Sequence, residues 1–287
     1  MTIAITAAGG HLGRLIVEDL LGRGVPAEQI RAVVRTPEKV QDLAERGVQV
    51  VRGDYTDGAG LAEALRGADK WIFISSLGPD EERLRQHLIA AEAGKEAGVG
   101  HVIYTSIPNA ETNPIGFASV HKNTEIAVQE TGLPYTFLRN NWYWENLTAS
   151  LPVAVEHGAI IGSVGEGLIA YAGRADYAAA AAAVATTEGH EGKVYELTGD
   201  RAFSSAEIAA EVSRQTGKEI AAVNLDPDVY RTTLEGFGLP AYLAAGLADA
   251  DVQIAGGALA QVTDTLRTLI GRPTTTVADA VAEALKG

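Results

Sequence analysis

Along the first 140 residues, short unbroken apolar runs alternate with stretches of helical period. Ile3–Ala4–Ile5 leads into a glycine-rich turn, and the next stretch places Leu12, Leu15, Ile16, Leu20 and Leu21 close to one helical face. Further apolar runs at 31–34, 48–51, 71–74, 102–104 and 134–138 read as strands. The intervening stretches 37–46, 59–65, 81–97 and 119–130 read as helices. The strand runs lack polar alternation, which predicts a parallel sheet covered on both faces. Right-handed crossovers make that a doubly wound α/β fold of the Rossmann kind.

Past residue 140 the rhythm changes. Gly158, Gly162, Gly165 and Gly167 punctuate a hairpin-like region, and 194–197 reads as another strand. The alanine run Ala178–Ala183 reads as a tightly packed helix. Ser204 or Ser205 caps a helix over 204–216, and Thr276 with Asp279 opens a last helix over 277–285. The expected organisation is a Rossmann domain over 1–140 and a smaller mixed C-terminal substrate lobe over 141–287. That boundary is approximate, because elements within 155–200 return to the sheet. Ligands are expected at the carboxyl ends of the strands, in a cleft between domain and lobe.

Composition narrows the chemistry. The 287 residues carry 37 acidic and 23 basic side chains, a net charge of −14, which argues against a nucleic-acid backbone binder. There is no cysteine, hence no thiol nucleophile, disulfide, or Cys-ligated zinc or iron–sulfur cluster. The histidines show no metal-ligand spacing, so no metal is expected. No run approaches the roughly 18 apolar residues of a membrane span. The opening MTIAITAAGG lacks the basic region of a secretory signal. A cytoplasmic protein is expected, and a homodimer is left open.

The turn Thr6-Ala7-Ala8-Gly9-Gly10-His11-Leu12-Gly13 joins the first strand to the first helix, the context a dinucleotide fingerprint requires. Gly10 would let a pyrophosphate approach the helix N-terminus, and Gly13 would permit close helix–sheet packing. Ala7 replaces the usual first glycine. If that position needs positive φ, its Cβ costs on the order of 1–2 kcal/mol, unless Gly9 carries the turn. After the second strand, an NAD site usually has an acidic residue; this chain has Arg35, with Lys39 one turn on. Two cations there suit a 2′-phosphate, so NADPH is expected over NADH.

Asp54 and Tyr55, after the third strand, are candidates for the adenine. Ser75, Ser76 and Ser106, after the fourth and fifth, are candidates for the nicotinamide side. After the sixth strand come Asn140, Asn141, Trp142, Tyr143 and Trp144, planar groups suited to a flat ring stacked beside a nicotinamide. Short-chain reductases place Tyr-x-x-x-Lys on the helix after strand five, where the phenol gives a proton and the lysine lowers its pKa. Here the tyrosine slot is Phe117 and the lysine slot is His121. His121, with an ordinary pKa of about 6.5, is the remaining candidate donor; a core or cap histidine is the alternative.

These residues resemble the NmrA-like atypical short-chain dehydrogenases/reductases, and within them the bacterial type 2 NAD(P)H:quinone oxidoreductases. Carriers of the resemblance include Gly10-His11-Leu12-Gly13, Val34-Arg35-Thr36-Pro37, Tyr104-Thr105-Ser106, Leu138-Arg139-Asn140-Asn141-Trp142-Tyr143 and Arg174-Ala175-Asp176-Tyr177. The closing Ile270-Gly271-Arg272-Pro273-Thr274-Thr275-Thr276 also fits. The resemblance spans essentially the whole chain. It implies NADPH-dependent two-electron reduction of a quinone without a Tyr–Lys pair. Asn140, Asn141, Trp142 and Tyr143, with Phe117 and Trp144 beside them, would orient the ring. Asn141, Tyr143 and His121 are the candidate catalytic groups. A carbonyl or imine reductase, and a non-catalytic NADP(H)-sensing regulator, remain as alternatives.

Overall fold

The computed structural model describes residues 1–286. The chain forms two compact units. The first comprises Met1–Glu111, Ser119–Asn140 and Tyr177–Glu196. In it β1 (Ile3–Thr6), α1 (His11–Gly22), β2 (Ile30–Val34), α2 (Gln41–Glu45), β3 (Gln49–Arg52), α3 (Gly58–Leu65), β4 (Lys70–Phe73), α4 (Asp80–Ala97), β5 (Val102–Ser106), α5 (Ala118–Glu130) and β6 (Tyr135–Asn140) follow one another. The sheet order is β3-β2-β1-β4-β5-β6-β8, and every strand runs parallel. The order reverses between β1 and β4, the switch point where doubly wound sheets leave a crevice for ligands.

The expected strands and helices of this half are present. Strands β1, β4 and β5 are buried on both faces, as unbroken apolar runs require. Trp71 stacks on Phe73, ring centroids 4.6 Å apart, and α4 lies directly on the indole. Gly94 permits this approach: a Cβ there would sit 2.6 Å from Trp71 Cζ3. Between β6 and β8 (Lys193–Leu197) the chain passes through the second unit and α8 (Arg174–Thr186). Ala178–Ala183 is buried throughout, and burial continues to Ala185.

The second unit gathers Thr112–Ala118, Asn141–Asp176 and the chain from Leu197 on. It holds α6 (Trp144–Thr148), α7 (Leu151–His157), β7 (Ala159–Gly162), α9 (Ser205–Thr216), β9 (Ala221–Asn224), α10 (Pro227–Gly236), α11 (Ala241–Ala255), α12 (Thr265–Ile270) and α13 (Val277–Ala284). Ser204 caps α9 with a full capping box to Glu207, and Thr276 caps α13 through Asp279 N–H. The glycines at 158–167 do not make a hairpin. Strand β7 pairs in parallel with β9, 62 residues further on by register, Ile160 opposite Ala222. Strand β9 is exposed along its whole length, so it lacks the apolar pattern that would announce it. Among the described residues no helix is long and apolar enough to cross a membrane.

Candidate functional site

The turn from β1 to α1 is built around backbone contacts. Gly10 is the N-cap of α1 and offers no side-chain cap, so the first-turn N–H groups face outward without one. A Cβ on Gly13 would lie 2.5 Å from Ala7 O and 2.6 Å from Ala8 Cα, so only glycine fits. Ala7 adopts φ +55°, the left-handed region. The substitution of glycine at this position is therefore a strained one. Ala7, Gly9, Gly10 and His11 are exposed, whereas Leu12 is buried. Thr6 ends β1 with its side chain inward. Its Oγ1 accepts from Trp71 Nε1 (3.1 Å) and lies 2.6 Å from the Tyr55 hydroxyl. That oxygen is enclosed by the core.

Beside this turn, Arg35 and Lys39 are both exposed. Among the described residues neither forms an ion pair, while their neighbour Arg14 is paired with Asp42 at 2.6 Å. The turn and the segment after β2 touch: a Cβ on Gly9 would meet Val40 Cγ1 at 3.2 Å. Burial pushes the Asp54 carboxyl up, but the Thr56 N–H and hydroxyl, with the charges of Arg35 and Arg52, hold it below the ordinary range. The Tyr55 hydroxyl also lies 2.7 Å from Ile74 O, and its ring meets Phe73 edge-on, so Tyr55 links β1 to β4.

At the ends of β4 and β5 the chain assembles a buried polar cluster. Ser75 N–H donates to Thr105 Oγ1 (3.0 Å), and Ser76 N–H donates to His87 Nε2 (2.9 Å). Because Nε2 of His87 accepts, Nδ1 carries the proton and donates to Thr124 Oγ1 (2.9 Å). Burial and the nearby Arg83 lower its pKa to about 3. Arg83 donates to Ser76 O (2.9 Å), Ser75 Oγ (3.2 Å) and His121 Nε2 (3.3 Å). His121 then also carries its proton on Nδ1, facing the Tyr104 hydroxyl at 3.0 Å. Burial, then Arg83 and His87, hold His121 well below its ordinary pKa. His121, the candidate proton donor, is therefore buried with both ring nitrogens in hydrogen-bond contact.

Ser106 is buried and donates to Glu125 Oε1 (2.6 Å). Arg139 forks the same carboxylate at 2.9 and 2.6 Å and also reaches Glu111 (2.8 Å) and Glu196 (3.0 Å). Arg139 holds the Glu111 carboxyl low, whereas burial pushes Glu196 up despite it. The Ser106 hydroxyl thus belongs to an ion-pair network. Asn140 is buried at the end of β6.

In the second unit, Trp142 stacks on Phe117, ring centroids 6.1 Å apart, and both are half-buried. Tyr143 lies under the Arg174 guanidinium, 5.3 Å from the ring centroid. Asn141 is buried; its Oδ1 accepts from Trp142 N–H (2.7 Å) and its Nδ2 donates to Leu259 O (3.2 Å). Its amide orders the chain locally. Trp144 is 2% exposed, donates to Thr275 O (3.0 Å) and stacks on Tyr171 at 4.5 Å. It is packed as part of the core. Among the described residues no group of three or more His, Asp or Glu is placed to hold a metal.

Sequence reasoning missed Arg83 and His87. They lie in the charged stretch Asp80–Arg85 and just beyond it, which reads as a solvated helix face. The signal available was their i,i+4 spacing, which puts both on one face of α4.

Residues 1–254 match the NmrA-like family. The chain is 48% identical to quinone oxidoreductase 2 of Escherichia coli (strain K12) over 280 residues, covering 98% of this chain and 97% of that protein. It is 32% identical to the NAD(P)H azoreductase of Xenophilus azovorans, with 96% of each covered. The crystal structure of the Escherichia coli NADPH-dependent quinone oxidoreductase complexed with NADPH superposes with a TM-score of 0.95. That match is at 47% identity and covers 99% of this chain and 100% of that one. The Citrobacter triphenylmethane reductase also gives 0.95, at 36% identity over 100% of both chains. With this agreement of sequence and fold over nearly its whole length, the chain belongs to the NmrA-like family.

Proposed function

We propose that this protein is an NADPH-dependent oxidoreductase, an atypical short-chain dehydrogenase/reductase whose acceptor is a quinone. The observation that carries the reading is the exposed Arg35–Lys39 pair, without an ion pair, lying against the uncapped N-terminus of α1. One feature suits a diphosphate and the other a 2′-phosphate. The glycine turn fits the cofactor, since the cradle closes on Gly13 with no room for a Cβ. NADPH would be held by the Gly9–Leu12 backbone, Arg35 and Lys39, with Asp54 and Ser75 nearby; when bound it supplies a hydride. The similarity to quinone oxidoreductase 2 supports the acceptor class.

The residues then divide the work. Phe117 and Trp142 offer stacked faces to a flat acceptor, and Tyr143 adds a ring backed by Arg174. Phe117 has no proton to give, and His121 is held neutral. A quinone tolerates this, because its reduced oxygens are weakly basic beside an alkoxide and solvent can protonate them. The protein's part is positioning and electrostatics. The test is titration with NADPH and NADH, followed by stopped-flow mixing with a naphthoquinone. Tighter NADPH binding and rapid quinone reduction are expected. Turnover of ketones or imines without quinones would replace the acceptor, and binding without oxidation by any acceptor would make the protein a sensor.

A further inference from the structure

Arg83 is buried in α4, off the end of β4 at the switch point of the sheet. Its guanidinium organises four groups: Ser76 O, Ser75 Oγ, Asp80 at 3.2 Å and His121 Nε2. His121 stands four residues after Phe117, the slot that short-chain reductases fill with lysine. The slot is thus occupied by a neutral ring, and a cation from a different helix touches that ring at 3.3 Å.

We propose that Arg83 takes over the charge role of the missing lysine, with His121 as the neutral spacer that fixes it. This rests on the oxidoreductase reading above. When hydride reaches an acceptor, negative charge develops on the acceptor oxygen until a solvent proton arrives. A fixed positive charge in a water-poor site stabilises that stage without giving up a proton. A guanidinium is suited to this, because it keeps its charge when buried. Asp80 balances it incompletely, since that carboxylate is half exposed to solvent. The groups facing His121 are Arg83 and His87 from α4 and Tyr104 from β5, with Lys122 and Glu125 close by on α5.

The test uses Arg83→Gln and Arg83→Lys with two readouts. In the cofactor-free protein, NMR follows the His121 imidazole with pH. The wild-type His121 midpoint is expected well below that of an ordinary imidazole, and Arg83→Gln is expected to raise it measurably. An unchanged midpoint overturns the proposal. In steady state with NADPH and a naphthoquinone, Arg83→Gln is expected to lower kcat by about tenfold to hundredfold with little change in NADPH affinity. Arg83→Lys is expected to recover most of that loss. Wild-type kcat in Arg83→Gln, or equal losses in both variants, overturns it. If Arg83→Gln does not fold, Arg83→Lys decides alone, and a loss beyond about tenfold overturns the proposal. If the wild type reduces no quinone, the acceptor reading fails, and the NMR result judges Arg83 by itself.

Discussion

Two arginines sit at the carboxyl ends of parallel strands and end in opposite situations. Arg35 follows β2, lies exposed and, among the described residues, makes no ion pair. Arg139 lies at the end of β6, buried, with Glu111, Glu125 and Glu196 around its guanidinium. The difference is compensation. Arg35 is left without a carboxylate of its own, whereas Arg139, which closes a core, is surrounded by them. Sequence position alone does not separate the two, because Glu125 and Glu196 reach Arg139 from α5 and β8.

The largest test of that contrast is Arg139→Met. It strands Glu125, 6% exposed at its side chain, without its fork. A loss of about 3–5 kcal/mol is expected in denaturant unfolding. A loss under about 1 kcal/mol would place the cluster with ordinary surface pairs.

The buried histidines carry the next effect. The unfolded chain binds a proton at His87 below about pH 6.5, whereas the native state does so only near pH 3. Stability contributed by the neutral ring is therefore present above pH 6.5 and falls with pH through that window. The stability lost by pH 5, relative to pH above 6.5, is about 2 kcal/mol. His87→Asn is expected to flatten the pH dependence of unfolding between 6.5 and 4 relative to wild type. Parallel curves would show that His87 protonates natively.

Arg35→Asp should act on ligand alone. NADPH binding is expected to weaken by about tenfold to hundredfold. NADH binding should hardly move, and stability should stay within about 0.5 kcal/mol. Equal effects on both cofactors would remove the 2′-phosphate assignment. Ala7→Gly is the smallest. It relieves about 1 kcal/mol of left-handed strain but loosens the unfolded chain by a similar amount. Thermal unfolding is expected to shift little, and a loss above about 1 kcal/mol would show that the alanine is not strained.

The strand–helix alternation was legible because buried parallel strands have no polar period to confuse. Ala7 was legible too, since a glycine position that needs positive φ announces its own replacement. The roles of Thr6, Ser106 and Asn141 were not. A hydroxyl or amide at a strand end reads the same whether it faces a ligand or a neighbouring side chain, and Trp71, Glu125 and Leu259 claim these three from far along the chain. Arg83 was hidden for the converse reason: it sits in an acidic, solvated stretch and turns inward. The β7–β9 pairing joins short segments whose register no local pattern records.

Helix α8 has a consequence of another kind. From Ala178 to Ala183 every side chain is a buried methyl group. A methyl group has no rotamers to lose, so ordering this stretch freezes backbone torsions alone, and its packing comes without the side-chain entropy loss that leucine or methionine would bring. The same smoothness removes any means of adjustment. A longer side chain on this rod would find no space to turn into, and its surroundings would have to retreat.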